Sequence, residues 1–202
     1  MHNCQKYRPT LILIALNVAV YVYASVLFGT FLETDYRFIY QWGQVGDFVI
    51  YEGQFYQLLT SMFVHASITH IAGNMIFLLI FGLRGEELFS LPEYLLIYLV
   101  GGLVGNLLSL VFLPLNVPSV GASGAIFAMF GAATLFARRT VGQSIFGALI
   151  YAFFLLFLSV GPGVNILAHL GGLGTGLLIG YALSLRRKQE ARYTVSYSYG
   201  PR

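Results

Sequence analysis

Cysteine is almost missing: Cys4 is the only one in 202 residues. An intramolecular disulfide is excluded, and so is a metal site built on cysteines. Charge is scarce too. Asp, Glu, Lys and Arg make up 9% of the chain, against about 25% in a soluble domain. That excludes a domain solvated on every side. The 11 basic and 8 acidic residues leave a net charge of +3. The basic ones are dispersed at the ends of apolar segments, so no nucleic-acid partner is expected. No His-Glu-x-x-His run occurs, and neither a metal nor a cofactor is expected. What fills the chain is apolar: 57% hydrophobic residues, and 16% aromatic ones among the whole. The expected fold is all-α and polytopic, with nearly all of the chain inside a bilayer.

Residues 1–9 are polar and carry Lys6 and Arg8. The apolar run after them has no clear small-residue cleavage site, so it reads as a retained first span rather than a signal peptide. Six spans are expected, at about 10–31, 68–83, 93–112, 122–137, 143–160 and 165–185. They make one domain over 10–188, followed by a flexible tail, 189–202. The stretch 32–67 is a long loop crowded with aromatics, among them Tyr36, Phe38, Trp42, Tyr51 and Tyr56. Such rings prefer the headgroup level, so the loop is expected to lie along the membrane surface. Lys6, Arg8, Arg84, Arg138, Arg139, Arg186, Arg187 and Lys188 fall on one side of a six-span chain, and Arg37 on the other. The positive-inside bias makes the rich side cytoplasmic, with both termini there, in what is expected to be the cell membrane.

Polar residues inside a membrane are costly and mark function by default. They are His70 and Asn74 on span two, Ser123 on span four and His169 on span six. At about 1.5 Å of rise per residue, Ser123 stands roughly 22 Å above Arg138, His169 roughly 25 Å above Arg186 and His70 roughly 21 Å above Arg84. Three helices thus bring polar groups to similar heights. Gly172, Gly176 and Gly180 line one face below His169, and Gly124, Ala128 and Ala132 one face below Ser123. Small faces allow close backbone approach. Such residues often do no more than pack a bundle. Here the packing itself would carry His169 to Ser123.

The chemistry follows from the residue types. Ser123 lies between Gly121-Ala122 and Gly124 at the mouth of a helix. Its backbone N–H is one of the unpaired donors of a first turn. A serine needs a base to become a nucleophile, and histidine is the usual one. No Asp or Glu lies in spans four or six to orient His169, so the expectation is a dyad and not a triad. Phe127, one turn below Ser123, is placed to pack on the imidazole. Asn74 and His70, four apart on one helix face, are candidate donors to an oxyanion together with the Ser123 N–H. The plainer alternative for His70 and Asn74 is a polar pair that hydrogen-bonds neighbouring helices.

Gly121-Ala122-Ser123-Gly124, His65-x4-His70-x3-Asn74 and Ala168-His169-x2-Gly172-x3-Gly176 together resemble the motifs of the rhomboid intramembrane serine proteases. The resemblance covers about residues 10 to 188. It implies the six-helix rhomboid fold, with Ser123 as nucleophile and His169 as general base. Asn74, His70 and the Ser123 N–H would form the oxyanion site, and span five would border the substrate's path. The implied activity is a serine endopeptidase that cuts single-span membrane proteins near the outer face. Many members carry Trp-Arg where this chain has Tyr56-Gln57, so the arginine's contacts are absent here. The alternatives are an inactive relative that binds membrane helices, a proton channel or transporter using His70, Asn74 and His169, and a zinc site from His65, His70 and His169. The presence of both dyad residues weighs against the first. The nearly unbroken apolar lower halves of spans four to six weigh against the second. The lack of an inward carboxylate weighs against the third.

Overall fold

The computed structural model describes residues 8–147, 149–151 and 163–193. The helices, numbered in chain order, are α1 (Pro9–Phe28), α2 (Tyr36–Trp42), α3 (Gly46–Tyr51), α4 (Gln57–Thr60), α5 (Ile68–Leu88), α6 (Leu91–Phe112), α7 (Ser123–Thr140) and α8 (Ile166–Tyr193). Four of them, α1, α5, α6 and α8, are long and apolar enough to cross a membrane. The fifth expected span, 143–160, lies largely outside the described residues, as do Gly161 and Pro162 of the break after it.

The helix termini follow local chemistry. Proline opens α1, where its missing N–H costs nothing, and Gly29 closes it in the left-handed conformation. The Ser67 hydroxyl accepts from His70 N at the start of α5. Ser90 and Glu93 form a capping box at the head of α6. The Glu86 carboxylate accepts the Thr10 N–H at 2.9 Å, tying the foot of α5 to the head of α1. The last helix, α8, runs on past the expected span end at about 185 to Tyr193. Arg, Lys, Gln, Glu and Ala are good helix formers, and they continue a turn that has no breaker.

Placement relative to lipid differs sharply between helices. On α1, Ile12 and Val26 are 64% and 67% exposed. Outward apolar faces of that kind suit an acyl-chain environment. By contrast, α7 is buried along nearly its whole length and packs on α8, α6 and α5. Its small side chains make this possible. A Cβ added to Gly172, Gly176 or Gly180 would run into the carbonyls of Gly124, Ala128 and Ala132 in turn. The two faces read from the sequence are therefore in backbone contact over three turns.

The loop 32–67 folds back on itself as three short helices and a 3-10 turn, Ser61–Phe63. Phe38 is its buried centre, in ring contact with Tyr23, Phe28 and Trp42. Gln57 answers the missing arginine. Its side chain is fully buried. Oε1 accepts from Val45 N at 2.9 Å, and Nε2 donates to the carbonyls of Tyr40 and Gln41 and to Gln54 Oε1. A neutral amide thus gathers the loop without a buried charge. Removing one partner of buried hydrogen bonds costs about 1–3 kcal/mol for each group left bare. Gln57→Ala is accordingly expected to lower the Tm of the purified protein, and an unchanged Tm would show that the loop is held elsewhere.

Candidate active site

Ser123 opens α7 from the connector 113–122, and that connector is irregular because Pro114 and Pro118 interrupt it. The loop and α6 hold it in place. Ser119 and Gln44 exchange backbone hydrogen bonds at 2.9 and 2.8 Å, and Gly121 N donates to Ser61 O at 2.9 Å. Asn106 Nδ2 donates to Ser61 Oγ and to Leu58 O, so α6 braces the same turn. Gly121 has a φ of +122°, a conformation that side chains disfavour. A Cβ there would also lie 2.9 Å from His70 Nε2 and 3.9 Å from Ser123 Oγ. Glycine is thus needed at 121 twice over, and His70 Nε2 and Ser123 Oγ flank the same point.

The tautomer of His70 follows from its partner. Ala66 N–H donates to His70 Nδ1 at 3.3 Å, so in the neutral ring the proton sits on Nε2, the atom beside Gly121. Asn74 Nδ2 gives one N–H to His70 O at 2.9 Å. An amide has two, and the other remains for a ligand. His65 belongs to the frame. It is 1% exposed, and Nε2 accepts from Ala122 N at 3.4 Å, next to Ser123. Burial and the neighbouring His70 push its imidazole down to about 3, which keeps it neutral and able to accept. The sequence marked His65 as part of a motif and as one ligand of the zinc alternative.

The Phe127 ring of α7 stacks on His169 of α8 with centroids 4.4 Å apart and planes at 20°. That is the contact expected from the spacing of Ser123 and Phe127. The stacking helps to orient the imidazole plane. His169 and Ser123 line one cavity of about 710 Å³ together with His70 and Asn74. Deeper, the lining becomes Phe77, Phe81 and Ile126. Gly121 lies beside His70 and Ser123, while Gly124, Gly172 and Gly176 hold α7 against α8. Of the residues singled out from the sequence, His70, Asn74, Ser123, Phe127 and His169 line this cavity. Two contributions were not legible in the sequence: the buried hydrogen bonds of Gln57 in the loop, and those of Asn165, which caps α8. Among the described residues, no three His, Cys, Asp or Glu side chains come together to hold a metal.

A helical membrane protein with a serine and two histidines around one cavity is a defined class of molecule. The family profile described as "Rhomboid domain" matches residues 52–186. Among curated relatives, RHOMBOID-like protein 6, mitochondrial, of Arabidopsis thaliana is 35% identical over 161 residues, covering 76% of this chain and 52% of that protein. The YdcA protein of Bacillus subtilis is 34% identical over 70% of this chain and 72% of its own length. Rhomboid protease GluP of the same bacterium is 32% identical over 90% of this chain and 36% of its own. The chain belongs to the rhomboid family of intramembrane proteases. It spans from 34% to 52% of the length of the plant relatives it matches.

Proposed function

We propose that the chain is a serine endopeptidase that cleaves single-span membrane proteins within the bilayer through a Ser123–His169 dyad. The observation that carries this reading is the shared cavity of Ser123, His169, His70 and Asn74. In the first step His169 takes the Ser123 proton as Oγ attacks the scissile carbonyl carbon. The carbonyl oxygen becomes an oxyanion, and the Ser123 N–H, the second N–H of Asn74 and His70 Nε2–H face it. The intermediate collapses, and the proton on His169 passes to the leaving amine. A water then repeats the sequence on the acyl-enzyme, with His169 again as base, and releases the carboxylate product. Phe127 keeps the imidazole oriented throughout.

The substrate must bring a carbonyl out of a helix whose own hydrogen bonds hide it. Helix-breaking or small residues near the cut follow from that requirement. The apolar inner wall of Phe77, Phe81 and Ile126 favours a membrane-spanning substrate and weighs against a proton path through the same cavity. The basic residues at the ends of α7 and α8 support cytoplasmic termini, with the cut toward the opposite face.

The reading is tested with purified protein in liposomes, given a single-span substrate with a labelled terminus. Two fragments that meet inside the span are expected, and no cleavage of any such substrate would reject it. Asn74→Ala is expected to lower kcat about 10²-fold while changing KM far less, because the donor acts on charge that develops only in the transition state. A pure KM effect would recast Asn74 as a substrate-binding residue.

A further inference from the structure

We propose that Asn165 is a positioning residue that holds the His169-bearing helix in register with the Ser123-bearing corner. The inference rests on the reading of Ser123 and His169 as nucleophile and base. Asn165 directly precedes α8 and lines the mouth of the cavity. Its Oδ1 accepts from Ala168 N at 3.0 Å, and its carbonyl accepts from His169 N at 3.3 Å. Ala168 N–H can only donate, so Oδ1 must face it and Nδ2 must face the other way. There Nδ2 donates to Ser109 Oγ at 2.8 Å and to Ser119 Oγ at 2.6 Å. Ser109 gives its own proton to Gly105 O at 2.9 Å, which leaves the hydroxyl oxygen to accept. One side chain thus joins three elements: α8, α6 and the connector that ends at Ser123.

The glycine faces of α7 and α8 cannot supply this register by themselves. Backbone contact sets how far apart the helices stand. Smooth faces interlock little, so they resist sliding and rotation weakly. Directional hydrogen bonds supply what they lack. The other bonds to the connector, at Ser119, Gly121 and Ala122, come from the loop 32–67. They fix Ser123 to the loop, whereas Asn165 fixes it to the helix that carries His169. His169 lies one turn further on, about 6 Å along the axis. A shift of about 1 Å in a reacting group can cost on the order of 10²-fold in rate.

A helix cap alone would also place asparagine here, and substitution separates the two roles. Asn165→Ser keeps an oxygen for the Ala168 N–H but cannot reach Ser109 and Ser119. We expect it to keep more of the wild-type Tm than Asn165→Ala and to lose about 10- to 100-fold in kcat, with KM changed no more than about twofold. Asn165→Ala should lose as much kcat and some Tm besides. Ser119→Ala should lower kcat in the same manner. The double variant Asn165→Ser with Ser119→Ala should be no slower than the slower single variant, because the two share one contact. Wild-type kcat in Asn165→Ser, or multiplied losses in the double variant, would overturn the proposal. Should Asn165→Ala fail to fold, Asn165→Ser and Ser119→Ala decide the matter alone. An inactive wild-type protein would instead overturn the protease reading, so the two failures are distinct.

Discussion

Ser123→Ala is expected to abolish cleavage of a single-span substrate, a loss of about 10⁴-fold or more in kcat. The hydroxyl is the atom that would bond to the substrate; Ser67 and Thr69 also line the cavity, but their hydroxyls are paired with each other and Ser67 Oγ already accepts from His70 N. His169→Ala should cost about as much, since a serine without a base is a weak nucleophile. The double variant should be scarcely slower than either single one, because the two residues act as a unit. Substrate affinity should survive in all three; Ser123→Ala should keep its Tm, whereas His169→Ala gives up the buried stacking on Phe127 and should melt somewhat lower. The measurement is initial rates with purified variants in liposomes, at several substrate densities, beside a thermal melt of each. Undiminished cleavage by Ser123→Ala would remove the nucleophile from the scheme.

The second large effect is expected far from any polar group. Gly172→Val should destroy activity, with a loss on the order of 10³-fold, and should lower stability by about 3 kcal/mol. A Cβ at this position runs into the Gly124 carbonyl, in the layer just below Ser123 and His169. Backbone cannot rotate away as a side chain can, so α8 must move off α7. That movement separates the candidate dyad directly, and small displacements of reacting groups are costly. Gly174, two residues on, is the control. A Cβ there meets nothing within 4 Å, so Gly174→Val should keep most of the activity. Equal activity in the two variants would mean that the close helix contact does not position the site. Equal loss in both would point to valine's effect on the helix itself.

Much of this architecture is legible in the residue pattern, and the reasons are physical. The positions of α1, α5, α6 and α8 follow from runs of apolar residues, although α5 and α8 run on past the arginines at which those runs end. The ladder of Gly172, Gly176 and Gly180 against Gly124, Ala128 and Ala132 follows from four-residue spacing. So does the stacking of Phe127 on His169, because Phe127 lies one turn below Ser123. What escapes such reading is anything whose partners are distant in the chain. Gln57 looks like a lost arginine until its acceptors at Tyr40 and Gln41 fold over it. Asn165 looks like an ordinary cap, since Ser109 and Ser119 are 56 and 46 residues away. Nor does composition tell that α7 is sheathed by protein while α1 faces outward. Small residues suit a helix interior to a bundle, yet they suit a close pair at its edge equally well.

The central claim is that Ser123 is a nucleophile activated at one cavity, and covalent labelling tests it most directly. Purified wild-type protein is treated with a fluorophosphonate, digested and analysed by mass spectrometry, with His169→Ala alongside. The account predicts a single phosphonyl adduct on the peptide that carries Ser123, formed in step with the loss of cleavage activity and strongly slowed in His169→Ala. Cleavage that persists while Ser123 is fully labelled, or an adduct that forms as fast without His169, would contradict it.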